Sequence, residues 1–150
     1  MTKRKDRPGV DRSGRTPLHY AACDNLESEV IRLVNEGADV NARDDAGWTP
    51  LHFAAQSKAA RIAEILLNHG AQVNAMDANG NTPLSNAVFG YIGNGETIIV
   101  LRRFGADPTL KNSYGVSALE LALDSYSEAT RDCPVSRFFD DLNSPATSSV

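Results

Sequence analysis

Gly47-Trp48-Thr49-Pro50-Leu51-His52-Phe53-Ala54-Ala55 decides how the chain folds, because it recurs. Gly14-Arg15-Thr16-Pro17-Leu18-His19-Tyr20-Ala21-Ala22 lies 33 residues upstream, and Gly80-Asn81-Thr82-Pro83-Leu84-Ser85-Asn86-Ala87-Val88 lies 33 downstream. A weaker copy, Gly115-Val116-Ser117-Ala118-Leu119-Glu120-Leu121-Ala122-Leu123, follows 35 further on. A second string keeps step with the first: Gly37-Ala38-Asp39-Val40-Asn41, then Gly70-Ala71-Gln72-Val73-Asn74, then Gly105-Ala106-Asp107-Pro108-Thr109. Two anchors at one spacing make the chain an array of equivalent units.

Each unit reads the same way locally. Asp11-Arg12-Ser13-Gly14 is a tight turn whose glycine is free to take a positive φ. Thr16, Thr49 and Thr82 suit helix N-caps; Pro17, Pro50 and Pro83 suit the first helical position, where no N–H is required. Leu18, Ala21 and Ala22 form one apolar face, and the alanines permit close helix packing. A second helix covers about Glu27 to Asn35, with Val30, Leu33 and Val34 inward, and Gly37 sits just past its end. In the next unit Ile62, Ile65 and Leu66, widened by Ala63 and Leu67, form the corresponding face. The third unit departs in two ways. Ser85 replaces a histidine, and two extra residues fall in Phe89-Gly90-Tyr91-Ile92-Gly93-Asn94-Gly95, lengthening the inter-helix loop. Its second helix uses Ile98, Ile99, Leu101 and Arg102 less regularly. In the fourth unit Ser117 can cap, with Leu119, Ala122 and Leu123 as a face. Pro134 can open a last helix to about Leu142, with Phe138 and Phe139 inward and Asp140 and Asp141 in water.

The pattern over roughly Asp11 to Ala122 resembles the ankyrin repeat family. The resemblance implies a mainly α solenoid of stacked helix-turn-helix units joined by β-hairpin-like turns. The expected organisation is a disordered basic leader (1–10), one domain (11–142) of repeats at about 11–43, 44–76, 77–111 and 112–142 with the last as cap, and a disordered tail (143–150). It also implies structural roles for Thr16, Pro17, His19, Thr49, Pro50, His52, Thr82 and Pro83, with His19 and His52 bonding backbone or neighbouring-repeat groups.

Catalytic and metal chemistry find little footing. His69 lies at a helix C-terminus, where a cation is mildly favoured. No Cys or His pair has zinc-ligand spacing. Gly90, Gly93 and Gly95 are not in G-x-G-x-x-G order and no Lys-Ser/Thr follows. No nucleophile has an evident base and orienter. The expectation is a non-enzyme without cofactor, with no catalytic or metal residues. Two cysteines, Cys23 and Cys133, make no disulfide framework, and Cys23 reads as a small half-buried residue. With no signal peptide and no apolar run near membrane length, a soluble cytoplasmic protein is the expectation.

Charge is uneven. Lys3, Arg4, Lys5, Arg7, Arg12 and Arg15 against Asp6 and Asp11 leave +4 on residues 1–15; the whole chain is −4, so the other 135 residues carry −8. Such a body attracts basic partners and disfavours nucleic acid.

The resemblance implies contacts at non-repeating positions of turn tips and first helices, on the concave side. The expected partner-binding residues are Arg12, Arg15, Asp24, Asp45, Trp48, Gln56, Ser57, Asn79, Asn81, Phe89, Tyr91 and Tyr114. Trp48, the only tryptophan, leads the set, since Trp, Tyr and Arg dominate binding hot spots. Its alternative is to lie flat on the adjacent tip and stabilise the turn row. The reading favoured is a stoichiometric binder or inhibitor of another folded protein with a basic surface, of which a bacterial toxin-neutralising immunity protein is one form. A scaffold or adaptor fragment, and a nucleic-acid-associated regulator using the basic leader, are the alternatives.

Overall fold

The computed structural model describes residues 8–91, 94–124 and 135–140. The leader through Arg7, Ile92 and Gly93 of the long loop, the stretch 125–134 with Cys133 and Pro134, and the tail with Asp141 and Leu142 lie outside the described residues. The described helices are α1 (Pro17–Cys23), α2 (Glu27–Asn35), α3 (Pro50–Gln56), α4 (Ala60–Asn68), α5 (Pro83–Phe89), α6 (Glu96–Arg103) and α7 (Ala118–Asp124), with a 3-10 turn at Val135–Phe139.

The repeated anchors set the helix starts. Thr16, Thr49 and Thr82 are extended N-caps, and each is followed by proline at the first helical position. Ser117 replaces the Thr-Pro start with a reciprocal cap: Glu120 Oε2 accepts from Ser117 N–H and Oγ–H at 2.8 and 2.9 Å, while Glu120 N–H donates to Ser117 Oγ at 3.2 Å. Lys111 Nζ holds the other Glu120 oxygen at 2.9 Å.

The first helices stack in order, α1 on α3, α3 on α5 and α5 on α7, while the second helices form a row of their own, α2 on α4 and α4 on α6. The core runs between the two rows. Leu18, Leu51 and Leu84 occupy one register in the first helices, beside Ala21, Ala54, Ala87 and Ala122; Val30, Ile62, Leu66, Ile98 and Leu101 meet them from the second row. Burying such an aliphatic side chain contributes about 1.5–3 kcal/mol. Small alanines let the helix backbones approach, which is why four short helices of seven residues each remain folded.

The structure corrects several expected positions. The extra residues of repeat three lengthen the connection, as their composition suggests. Residues 57–59 join α3 to α4, whereas 90–95 join α5 to α6. α6 starts one position later within its repeat but keeps the repeat register: Val100 is buried like Ile65, and Ile99 is 46% exposed, in line with Glu64 and Ile31 on the outer side. Leu123 is likewise 46% exposed, and Ala118 joins Ala122 in the buried face instead, because α7 is the last first-row helix among the described residues. Cys23 is exposed, since it ends α1 beyond the Leu18, Ala21 and Ala22 face. At the far end, Val135–Phe139 forms a 3-10 helix within the span expected for the last helix, and Asp140 is exposed. Phe139 is fully buried, and Phe138 packs against Tyr91 with ring centres 5.9 Å apart.

Candidate protein-binding surface

The turn tips are built by one device used four times. Asp44 Oδ1 accepts the N–H groups of Ala46 and Trp48 at 2.9 and 2.8 Å. Asp11 does the same for Ser13 and Arg15, Asp77 for Asn79 and Asn81, and Asn112 for Tyr114 and Val116. A backbone bond closes each turn, from Asp44 N–H to Trp48 O at 2.9 Å in the second repeat. Neighbouring tips are then tied backbone to backbone: Asp45 to Ser13 O, Ala78 to Ala46 O and Ser113 to Asn79 O, at 2.8, 2.9 and 2.8 Å. Gly47 takes φ +78, and a Cβ there would lie 2.8 Å from Ala78 N, so the tip demands glycine for both conformation and space.

Two side-chain ladders run beneath the tips. His52 Nδ1 accepts from the backbone N–H and the hydroxyl of Thr49 at 3.1 and 2.9 Å. An amide can only donate, so Nδ1 is the bare nitrogen and Nε2 carries the hydrogen. Nε2 donates to Asn81 O in the next repeat at 3.0 Å. His19 repeats this with Thr16 and Trp48 O, the latter at 3.0 Å. Burial disfavours the charged imidazole and lowers the pKa of both rings, only partly offset by these carbonyls and by Asp44 or Asp77. In the second ladder Asn41 donates to Gly70 O at 3.1 Å and accepts from Gln72 N–H at 2.8 Å; Asn74 reaches Gly105 O and Asp107 N–H at 3.5 and 2.9 Å.

The family model described as ankyrin repeats (3 copies) matches residues 2–77 and 25–112, two overlapping spans that together cover most of the chain. The chain belongs to the ankyrin repeat family. A search of the curated proteins finds no match. Ankyrin repeats generally mediate contacts between proteins and are typically non-catalytic. Among the described residues no group of three or more His, Cys, Asp or Glu could hold a metal ion, and no helix is long and apolar enough to cross a membrane.

The ankyrin stack distributes the expected contact residues unevenly. Tyr114 stands 76% exposed on the fourth tip and Phe89 is 85% exposed at the end of α5. Arg12, Asp24, Asp45, Gln56 and Asn79 are exposed on tips and first-helix ends. Cys23 O accepts from Ser57 Oγ at 2.8 Å, so the C-terminal ends of α1 and α3 adjoin. Others are committed to the scaffold. Trp48 is half-buried: its ring stacks on His52 at 5.9 Å and tilts onto Phe53 at 5.0 Å. Arg15 reaches Asp44 Oδ2 at 3.2 Å and lies 5.0 Å over the Phe53 ring. Asn81 Oδ1 accepts from Asn112 Nδ2 at 2.8 Å, and Tyr91 packs on Phe138. Tyr20, at 44% exposure, adds an aromatic edge to the first repeat, its hydroxyl bonded to Asp11. Its register matches Phe53, a covered residue, which is why its sequence position gave no sign of a contact role.

The second-helix side is of a different character. Arg61 bridges Glu27 and Glu64 at 3.4 and 2.9 Å, Arg103 lies 3.5 Å from Glu64, and Arg32 sits between Glu29 and Glu36. These charges already neutralise one another in solvent, and such pairs each contribute about 0–1 kcal/mol. His69, expected at a helix end, caps α4 by donating from Nδ1 to Ile65 O at 2.7 Å.

Proposed function

We propose that the chain is a stoichiometric binder or inhibitor of one folded partner, engaged through the turn tips and the first-helix side. The observation that carries the reading is the pairing of exposed aromatics with a fixed backbone. Tyr114, 76% exposed, stands on a row of tips cross-linked by hydrogen bonds of 2.8–2.9 Å, and Phe89, 85% exposed, ends α5 in the row of first helices. Rigid aromatic anchors lose little entropy on docking and supply hot-spot energy. The acidic charge outside the first 15 residues supports a partner with a basic surface, such as a toxin domain or a nucleic-acid enzyme whose groove the stack would block. A toxin-neutralising immunity protein is one form of this activity.

The test is affinity capture from the source cells with the wild-type chain and with the double variant Phe89→Ala, Tyr114→Ala. The wild type should retain one dominant protein at near-equal stoichiometry, released as salt rises. The double variant should lose at least about tenfold in affinity with its melting temperature unchanged. Equal retention by both chains would refute the placement of the site.

A further inference from the structure

The ladders that join the repeats do not run the full length of the stack. At the first two junctions, histidine and asparagine side chains both cross. His19 and His52 reach the next tip, and Asn41 and Asn74 reach the turn after the next second helix. At the third junction the histidine crossing is gone, and no asparagine-type crossing is seen among the described residues. Ser85 stands in the histidine register, 5% exposed, and its hydroxyl pairs with Thr82 Oγ1 at 3.2 Å, a bond inside its own repeat. Val116 O, which corresponds to Trp48 O and Asn81 O, receives its own turn's Asn112 N–H at 2.9 Å and no bridging side chain among the described residues. Thr109 stands in the asparagine register. Its N–H and hydroxyl both go to Asp107 Oδ1, at 2.8 and 2.7 Å, again inside the repeat.

What still crosses, among the described residues, is the Ser113 N–H to Asn79 O bond, the Asn112 to Asn81 amide pair, Leu119 N–H to Pro108 O at 2.9 Å, the Lys111 contacts with Ser117 and Glu120, the packing of Ala118 and Ala122, and, further along, the ring contacts of Phe138 and Phe139 with Tyr91 and Arg102. In a solenoid, stability is close to a sum of repeat and nearest-neighbour terms, so losing bridges at one junction localises the weakness there. We infer that the junction between repeats three and four is the weak joint of the stack. Repeat four, from Asn112 through α7, opens as a unit before the rest unfolds. Opening of this kind is the sub-global event that amide exchange detects. On the reading proposed above, a partner that grips Tyr114 draws on the closing of this joint.

The experiment is amide hydrogen exchange on the free full-length chain, so its outcome does not depend on any partner. Three equivalent reporters, the amides of Asp45, Ala78 and Ser113, read the three junctions, and Leu121 reads α7. After correction for intrinsic rates, Ser113 and Leu121 should exchange at least about tenfold faster than Asp45 and Ala78. Ser85→His, which supplies the missing donor to Val116 O, should slow Ser113 and Leu121 by about five- to tenfold, the effect of one buried hydrogen bond, and leave Asp45 unchanged. His52→Ser moves the same defect one junction back, so Ala78, Ser113 and Leu121 should then exchange fast together. Equal protection of Asp45 and Ser113 in the wild type, or no response of Ser113 to Ser85→His, overturns the inference. If Ser85→His fails to fold, an unchanged Ala78 rate in His52→Ser overturns it.

Discussion

At His52 one ring joins two repeats only while it is neutral, because Nδ1 must accept from Thr49 and Nε2 must donate to Asn81 O. Burial lowers the folded pKa of His52 and His19 below the ordinary 6.5. The unfolded chain therefore binds more protons than the fold between the folded value and 6.5, and stability falls as pH drops through that window. Denaturant midpoints recorded from pH 8 to pH 5 should decline from about pH 6.5 downward, and the decline should flatten when both histidines are replaced by Gln. Glu120 acts in a separate range. Lys111 and Ser117 hold it at about 2, so its contribution is present above 4.5 and disappears only as pH falls through about 2. Trp48 belongs at this scale too. Its ring covers Phe53 and stacks on His52, so Trp48→Ala should lower stability by about 2 kcal/mol in thermal or denaturant melts, apart from any effect on binding. An unchanged melt would return Trp48 to the role of a free contact residue. The histidine pair was legible in the chain because both copies share a register. The work of Asp44 and Asp77 was not, since a buried carboxylate that gathers two amides exists only once the backbone has turned around it.

Among elements, the turn tip is the most constrained. Gly47→Ala would place a Cβ 2.8 Å from Ala78 N in a backbone at φ +78, and should cost about 1–3 kcal/mol in equilibrium unfolding. Gly37→Ala shares the positive φ, +88, but meets no atom within 4 Å, and should cost only the conformational part, about 1 kcal/mol. Equal losses would mean that contact between tips adds nothing. Helix starts were readable from Thr-Pro and helix ends from glycine, and α2 follows the expected Glu27–Asn35. The face of α6 was not readable from its apolar period alone. Its run of apolar residues Ile98 to Leu101 has no single apolar stripe, and only counting back from Gly105, as from Gly70 and Gly37, sets Ile99 outward with Ile31 and Glu64 and Val100 inward with Ile65. Leu123 was misplaced for a related reason: an apolar period shows which residues align, but not whether another helix lies beyond them.

Across the whole molecule, the two sides of the stack differ in what they leave unsatisfied. The second-helix side pairs its charges across repeats, through Arg61 with Glu27 and Arg103 with Glu64. The tip and first-helix side leaves Phe89 and Tyr114 in solvent beside a fixed backbone ladder. Period and composition made the solenoid and its acidic charge legible. They did not separate the exposed aromatics from Trp48 and Tyr91, because burial at a tip depends on the neighbouring repeat. The most direct measurement is amide hydrogen exchange of the chain with and without the captured partner. The account predicts added protection at the tips around 45–48, 78–81 and 113–116 and along α3 and α5, with the solvent side of α2, α4 and α6 unchanged. Protection confined to the second helices, around Arg32, Glu64 and Arg103, would contradict it.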